Sequence, residues 1–199
     1  DILFLGNRAL DQLDVLPNSN KPTSLLQIIN FTKSSLGKRF LRDNLTRPLV
    51  NIKNIKIRND TIELIKQKKI FEELGDMIAD IYDLERLNRK LEIEKLHPYE
   101  LYHFYYSYRQ VIEIVNFLPN DIKTNLDIDI SQLSKIIELT KYLEKVYDLD
   151  SMMNLNFINY KEAENSFFNK EIYSDIDELQ KKINTSKNFM HELVKVLEK

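Results

Sequence analysis

Apolar residues recur at spacings of three and four along most of the chain, with polar residues between them, and that period belongs to helices that bury one face. It is plainest from Ser24 to Leu49, where Leu25, Leu26, Ile29, Leu36, Phe40, Leu41 and Leu45 make one broad stripe flanked by Lys33, Lys38, Arg39 and Arg42. Ser24 and Gln27 have the spacing of a capping box, in which a hydroxyl and an amide satisfy free backbone donors at a helix start. Arg47-Pro48 supplies the stop, because proline lacks an N–H and pushes the residue before it out of the helical region. The spacing predicts a single helix here with Gly37 inside it, and its apolar face is expected to be the hub on which later helices pack.

Before that stretch, Ile2 to Leu16 reads as a strand or turn leading into one helical turn, and Pro17 to Pro22 reads as a loop. After it, Asn51 or Asn54 can cap a second helix carrying Ile55, Ile62 and Ile65, which ends in the polar run Lys66 to Lys69. Phe71, Leu74, Ile78, Ile81, Leu84, Leu87 and Leu91 form a third helical face, with acids early (Glu72, Glu73, Asp76) and bases late (Arg86, Arg89, Lys90), an order that suits the helix dipole. Pro98 is placed to open a fourth helix through Phe117, closed by Pro119-Asn120. Asp121 to Ile130 reads as a loop, and Ser131 as the cap of a fifth helix, Gln132 to Tyr147, that buries Leu133, Ile136, Ile137, Leu143 and Val146. Asp148 to Phe168 has no clear period and reads as short helical turns with loop, or as a short hairpin. From Ser174 the apolar stripe narrows to Ile176, Leu179, Ile183, Ser186, Met190, Leu193 and Leu197, the seam of a coiled coil, which another helix has to cover. The expected fold class is all-α, a multi-helix core domain with a long protruding C-terminal helix.

Composition narrows this picture. At 199 residues the chain fits one large domain, or one with an appendage, and three glycines with five prolines favour long helices over a strand meander. With 43% hydrophobic and 30% charged residues and a mean hydropathy of -0.40, it reads as soluble and globular. The 29 basic and 31 acidic residues leave a net charge of -2, so no overall field draws it to nucleic acid or to a membrane. With no cysteine, a disulfide framework and a thiolate metal site are excluded. The chain opens on Asp1 and closes in helical sequence at Lys199, and is expected to be a piece of something longer.

Candidate chemistry is sparse. His97, His103 and His191 lack the spacing of a ligand pair, and the glycines at 6, 37 and 75 are too scattered for a phosphate-cradling loop. No serine sits in a nucleophile elbow. Lys33, Lys38, Arg39, Arg42 and Arg47 form the best basic cluster. They could touch a phosphate backbone, but such runs more often flank a helix, here with Asp43, Glu63 or the pair Asp83 and Glu85 as ion partners. Tyr99, Tyr102, Phe104, Tyr105, Tyr106 and Tyr108 crowd the fourth helix. A base-stacking platform would interleave them with basic residues, and only Arg109 follows, so inter-helix packing is the favoured role.

Taken together, Ser24-Leu25-Leu26, Thr32, Gly37, Arg39, Leu41-Arg42, Leu45, Pro48-Leu49, Ile52, Ile55 and Arg58 resemble the core, or lever, domain of MutS-type DNA mismatch-repair proteins. Asp83-Leu84-Glu85-Arg86-Leu87 is similar to the D-L-E-R-L of that domain, and Arg8 to Leu16 resembles its approach to the core. Tyr173-Ser174-Asp175-Ile176-Asp177-Glu178-Leu179 resembles the G-Y-D-x-x-L-D-E-L that opens the long helix running out to the DNA clamp. Asn165 to Lys170 stand where the family has glycines, and Lys38 stands where it has a second glycine after Gly37. This divergence, with a composition rich in Ile, Asn and Lys, resembles an organellar or large-DNA-virus branch.

The resemblance implies three parts: a lead-in segment over 1–22 from a preceding domain, a helical core over 23–172, and the start of a lever or clamp helix over 173–199. It implies a non-catalytic piece with no cofactor of its own, ATP and Mg belonging to an ATPase domain of the parent protein. The implied partners are the remaining domains of the same chain, a second MutS-type subunit, and duplex DNA held through the clamp, with no membrane. The implied location is intracellular, in cytoplasm, nucleoid or organelle. The residues it singles out are structural: Ser24, Gly37, Arg39, Arg42, Pro48, Asp83, Glu85 and Arg86 as the hub, and Ile176, Leu179, Ile183, Met190, Leu193 and Leu197 as a seam for a partner helix. The seam alone also fits an independent all-helical interaction adaptor, and the basic cluster with the tyrosines fits a nucleic-acid-binding module.

Overall fold

Pro98 starts α7 (Pro98–Phe117) at its first position, where a missing N–H is harmless, and this helix is the centre of the body. The computed structural model describes residues 2–18, 23–156, 158 and 165–197. Part of the expected loop, 19–22, and part of the segment before Phe168, including Phe157, lie outside the described residues. Ahead of α7 come α1 (Asn7–Gln12), α2 (Leu25–Ile29), α3 (Ser35–Thr46), α4 (Ile52–Gln67), α5 (Phe71–Ala79) and α6 (Leu84–Glu92). Behind it come α8 (Asn120–Asn125), α9 (Ile130–Val146), α10 (Leu149–Met153) and α11 (Ser174–Leu197). Among the described residues, strand pairing is limited to two isolated antiparallel bridges, Ile2 with Leu49 and Tyr147 with Phe168. The fold is all-α with a long C-terminal helix.

Packing radiates from α7, which meets α5, α6, α9 and α10, while α8 lies on α4. Leu87 of α6, Phe104 of α7 and Leu143 of α9 form the buried cluster, and burial of each such side chain stabilises by about 1.5–3 kcal/mol. The expected hub is therefore displaced. α3 has no fully buried residue, and the stretch from Ser24 to Leu49 is a flank of the body, with α7 as its centre.

Four further expectations are corrected. The predicted single helix over Ser24 to Leu49 is two, because Asn30 Oδ1 accepts from Thr32 N at 3.3 Å and Thr32 Oγ1 at 2.6 Å while Ser34 Oγ accepts from Gly37 N at 3.2 Å and caps α3. Short polar side chains thus offer the backbone local partners that compete with helix continuation. The third face from Phe71 to Leu91 is likewise split into α5 and α6. Between them Tyr82 N donates to Ser107 Oγ at 3.0 Å, and Asp83 caps the new helix by accepting from Arg86 N at 3.1 Å. The expected loop over Asp121 to Ile130 contains the short helix α8, anchored by fully buried Ile122. The cap of α9 is Asp129, whose Oδ1 accepts from Ser131 N at 2.8 Å, so Ser131 donates where it was expected to cap.

Several helices stop without glycine. Asp14, Lys69, Glu94 and Asp127 all have φ between 51 and 56°, the left-handed conformation of a helix stop. At the end of α4, Ile70 N reaches Ile65 O and Lys69 N reaches Lys66 O, the crossed pair of bonds that defines a Schellman end.

Candidate functional site: a polar helix junction and an unpartnered helix

Ser24 is buried, and the capping box it forms with Gln27 is present, Gln27 N donating to Ser24 Oγ at 3.3 Å and Ser24 N to Gln27 Oε1 at 2.9 Å. The remaining free donors of the first turn are used as well: Leu25 N donates to Asp14 O at 2.7 Å and Leu26 N to Val15 O at 3.1 Å. The lead-in segment is thereby held on the start of α2 by donors that no helical bond can satisfy. At the other end of α3, the Pro48 carbonyl accepts from Leu3 N at 2.8 Å. Leu25 and Leu26 at one end of this stretch and Pro48 at the other thus bind the same N-terminal segment.

The charged junction is made by Arg39, which projects from α3 toward the start of α6. Its Nη1 and Nη2 donate to Asp83 Oδ2 and Oδ1 at 2.8 and 2.7 Å, and Nη2 also meets Glu85 Oε2 at 2.8 Å. A planar fork of donors matches a carboxylate in this bidentate way, and fixes direction as well as distance. Asp83 serves two helices at once, since Oδ1 also accepts from Arg86 N. The hydrogen bonds from Arg39, working against partial burial and helped by the Arg86 N–H, hold the Asp83 carboxyl below its usual range. Arg39 is correspondingly held above the usual arginine value, first by the bond to Asp83. Arg42 and Arg47, together with Arg39, line a cleft of about 490 Å³ with Phe4, Leu10 and Leu16, and neither Arg42 nor Arg47 makes a side-chain ion pair among the described residues. Gly37 stands in local contact only: a Cβ there would lie 3.3 Å from Ser34 Oγ and 3.4 Å from Thr32 Cβ.

Two junctions passed unnoticed in the sequence. Glu100 is only 2% exposed, yet it accepts from Lys90 Nζ and from His97 N. Burial pushes its carboxyl up, but those two donors outweigh it and hold the carboxyl below the usual range. Its place two residues after a helix-opening proline was a usable signal. Ser107, fully buried, joins α7 to the α5–α6 turn through Tyr82 N, and no sequence pattern marks it. Above it the Tyr82 ring stacks on His103 with centroids 4.0 Å apart, and burial lowers the His103 pKa.

α11 is of a different kind. It runs 24 residues with no buried side chain. Of the seam positions, Leu179, Ile183, Met190, Leu193 and Leu197 are exposed and Ile176 is half-buried. Its start is tied to the preceding turn, Glu171 N donating to Asp177 Oδ2 at 2.8 Å and Asp177 N to Tyr173 O at 3.1 Å.

Fold and site together define a helical scaffold module, in which a polar junction sets the angle between helices and the last helix presents an apolar stripe outward. The family model described as MutS domain III matches residues 8–199, and the chain belongs to the MutS family. A putative DNA mismatch repair MutS homolog of Acanthamoeba polyphaga mimivirus is 35% identical over 192 residues, which cover 91% of this chain and 17% of that protein. The mitochondrial DNA mismatch repair MutS homolog of Sarcophyton glaucum is 30% identical over 159 residues, covering 76% of this chain and 16% of that protein. The DNA mismatch repair protein MutS of Petrotoga mobilis is 31% identical over 125 residues, or 62% of this chain and 15% of that protein. The chain spans about one sixth of the length of these relatives. Viral, mitochondrial and bacterial proteins are all among them. No helix among the described residues is long and apolar enough to cross a membrane.

Proposed function

We propose that the chain is the non-catalytic core and lever portion of a MutS-type mismatch-repair protein, joining an ATPase domain elsewhere in the parent protein to a DNA clamp. The observation that carries this reading is α11, a 24-residue helix without a buried side chain. A helix of that length spans about 36 Å at 1.5 Å per residue, enough to carry a movement well outside the body. The Arg39 junction suits the same role, because a bidentate pair holds the angle between α3 and α6 while the body moves as a unit. In this reading ATP and Mg are bound by the ATPase domain, duplex DNA is gripped through the clamp, and a second MutS-type subunit completes the dimer inside the cell. The seam of α11 is covered by another helix of the same protein. An all-helical adaptor explains the seam equally well, but it gives no reason for the family match over residues 8–199.

The test uses the full-length protein that this reading requires. Ser186→Pro breaks α11 in its middle at a cost of about 3 kcal/mol or more to that helix. The variant is expected to keep ATP hydrolysis and DNA binding as separate activities and to lose the effect of ATP on DNA release. Unchanged ATP-driven release would refute a lever role for α11.

A further inference from the structure

The tyrosines of α7 do not all serve the core. Tyr102 and Tyr106 are half-buried, with ring centroids 6.1 Å apart, and they are shared by two adjoining depressions. One, of about 340 Å³, is completed by Ala79 to Tyr82, and the other, of about 480 Å³, runs past Gln110 to the start of α10. The result is one open groove, floored by rings, that crosses α7 from the α5–α6 turn to α10.

Its rim is acidic. Asp80 lies at one end, Glu113 beside the middle, and Asp148 and Asp150 at the other. The carboxylates of Asp80 and Asp150 have no hydrogen bond or ion pair among the described residues. Arg109 is the basic residue of the groove, and it is engaged by Glu144 at 3.1 Å. Burial, and then the negative field of Asp80, raises the Tyr106 phenol above its usual value. Burial raises Tyr102 also, with Asp150 contributing. These rings thus stay neutral, and offer negative π faces beside carboxylates.

A phosphate backbone would be repelled here, so the aromatic cluster is not a base-stacking platform. Guanidinium groups fit instead. They stack on aromatic faces, donate to carboxylates in a planar fork, and are more weakly hydrated than ammonium. We infer that the groove over Tyr102 and Tyr106 docks an arginine-bearing peptide segment of a partner protein, with guanidinium groups lying on the rings and paired to Asp80, Glu113 or Asp150. This inference is independent of the lever reading, since it uses neither α11 nor the Arg39 junction.

The experiment is fluorescence anisotropy of a short fluorescein-labelled oligoarginine peptide titrated with this chain at moderate salt, with oligolysine, oligoglutamate and single-stranded oligodeoxynucleotide probes beside it. Oligoarginine is expected to bind more tightly than oligolysine, and the two anionic probes not at all. Tyr102→Ala is expected to weaken oligoarginine binding about five- to tenfold, the range of a lost cation–π contact, and Tyr102→Phe to restore it. Asp150→Asn is expected to weaken binding about threefold. Glu63→Gln, at an exposed position of α4, serves as the control and leaves it unchanged. If Tyr102→Ala fails to fold by circular dichroism, Tyr102→Phe and Asp150→Asn still decide the matter. Absence of oligoarginine binding, equal binding of oligolysine, or oligoarginine binding unaffected by Asp150→Asn would overturn the inference. Self-association through this face, abolished by Asp150→Asn, would overturn it too, since the occupant would then be a second copy.

Discussion

Replacing Asp83 separates two contributions that one carboxylate makes. As the N-cap of α6 it accepts from Arg86 N, a role worth about 1 kcal/mol that asparagine fills as well as aspartate. As the partner of Arg39 it supplies a charge-assisted bidentate pair. That pair is partly screened, with 42% of the Arg39 side chain and 22% of the Asp83 side chain exposed, and Glu85 would still hold Arg39 at 2.8 Å. Its share therefore falls in the surface range, roughly 0.5–1 kcal/mol. Asp83→Asn is expected to cost that share alone, and Asp83→Ala to cost about 1.5–2 kcal/mol. At about 2–4 °C per kcal/mol for a chain of this size, thermal unfolding followed by far-UV circular dichroism should show a drop of about 3–8 °C for alanine and half of that or less for asparagine. The pH dependence has a definite sign. The Asp83 carboxyl is held below the usual aspartate value of 3.8, so the pair's contribution is complete above that value and is lost as pH falls through the lower folded one. Parent and Asp83→Asn should converge in stability in that acid window. Equal losses for asparagine and alanine, or an alanine variant as stable as the parent, would refute the division into cap and pair.

Three further outcomes follow from the same geometry. Glu94 closes α6 at φ 56°, so Glu94→Gly should stabilise by about 1 kcal/mol, read as a higher urea midpoint at unchanged slope. Gly37 touches only Ser34 and Thr32, so Gly37→Ala should leave the melting temperature nearly unchanged, the gain in helix propensity offsetting a small shift of the cap; a large loss would restore this glycine to a packing hub. Glu100→Gln should destabilise by about 1–3 kcal/mol near neutral pH by removing the charge that pairs with Lys90. Because the Glu100 carboxyl is held below its usual 4.5, that difference should vanish as the pH falls beneath this value, measured by melting both proteins across the acid range.

The elements readable from sequence were those with a complete local signal. α7 begins at Pro98 and ends at Phe117, because proline and the helical period agree there. α4 starts where Asn51 accepts from Lys53 N and Asn54 N, and α11 follows an uninterrupted heptad. The two unforeseen breaks occur where the apolar period runs on through the break. Ile29, Leu36 and Phe40 remain in phase across the Asn30–Ser34 turn, as do Ile81 and Leu84 across the Asp83 cap, so period alone could not reveal either. One break is settled by local polar side chains and the other by Ser107, distant in sequence. The end of α4 was legible in the polar run Lys66 to Lys69, whereas the stops at Asp14, Glu94 and Asp127 carry no such mark, because these residues adopt the conformation in which glycine is looked for. At the junction, the pairing of Arg39 with Asp83 and Glu85 was among the partners weighed from sequence. The placement of α7 as the centre depended on long-range packing that no local pattern encodes.

The central claim is that α11 is a continuous rod outside the body. Asp175 and Asp177 in its first turn and Lys195 in its last suit its dipole, and Asp177 with Lys181 and Glu178 with Lys182 have the favourable acid-before-base spacing. The chain has no cysteine, so Ser174→Cys with Val196→Cys gives two unambiguous spin-label sites. Pulsed electron–electron resonance between them should return one narrow distribution centred at about 33 Å between backbone positions. A short, broad distribution would mean that α11 folds back or frays, and would contradict the lever.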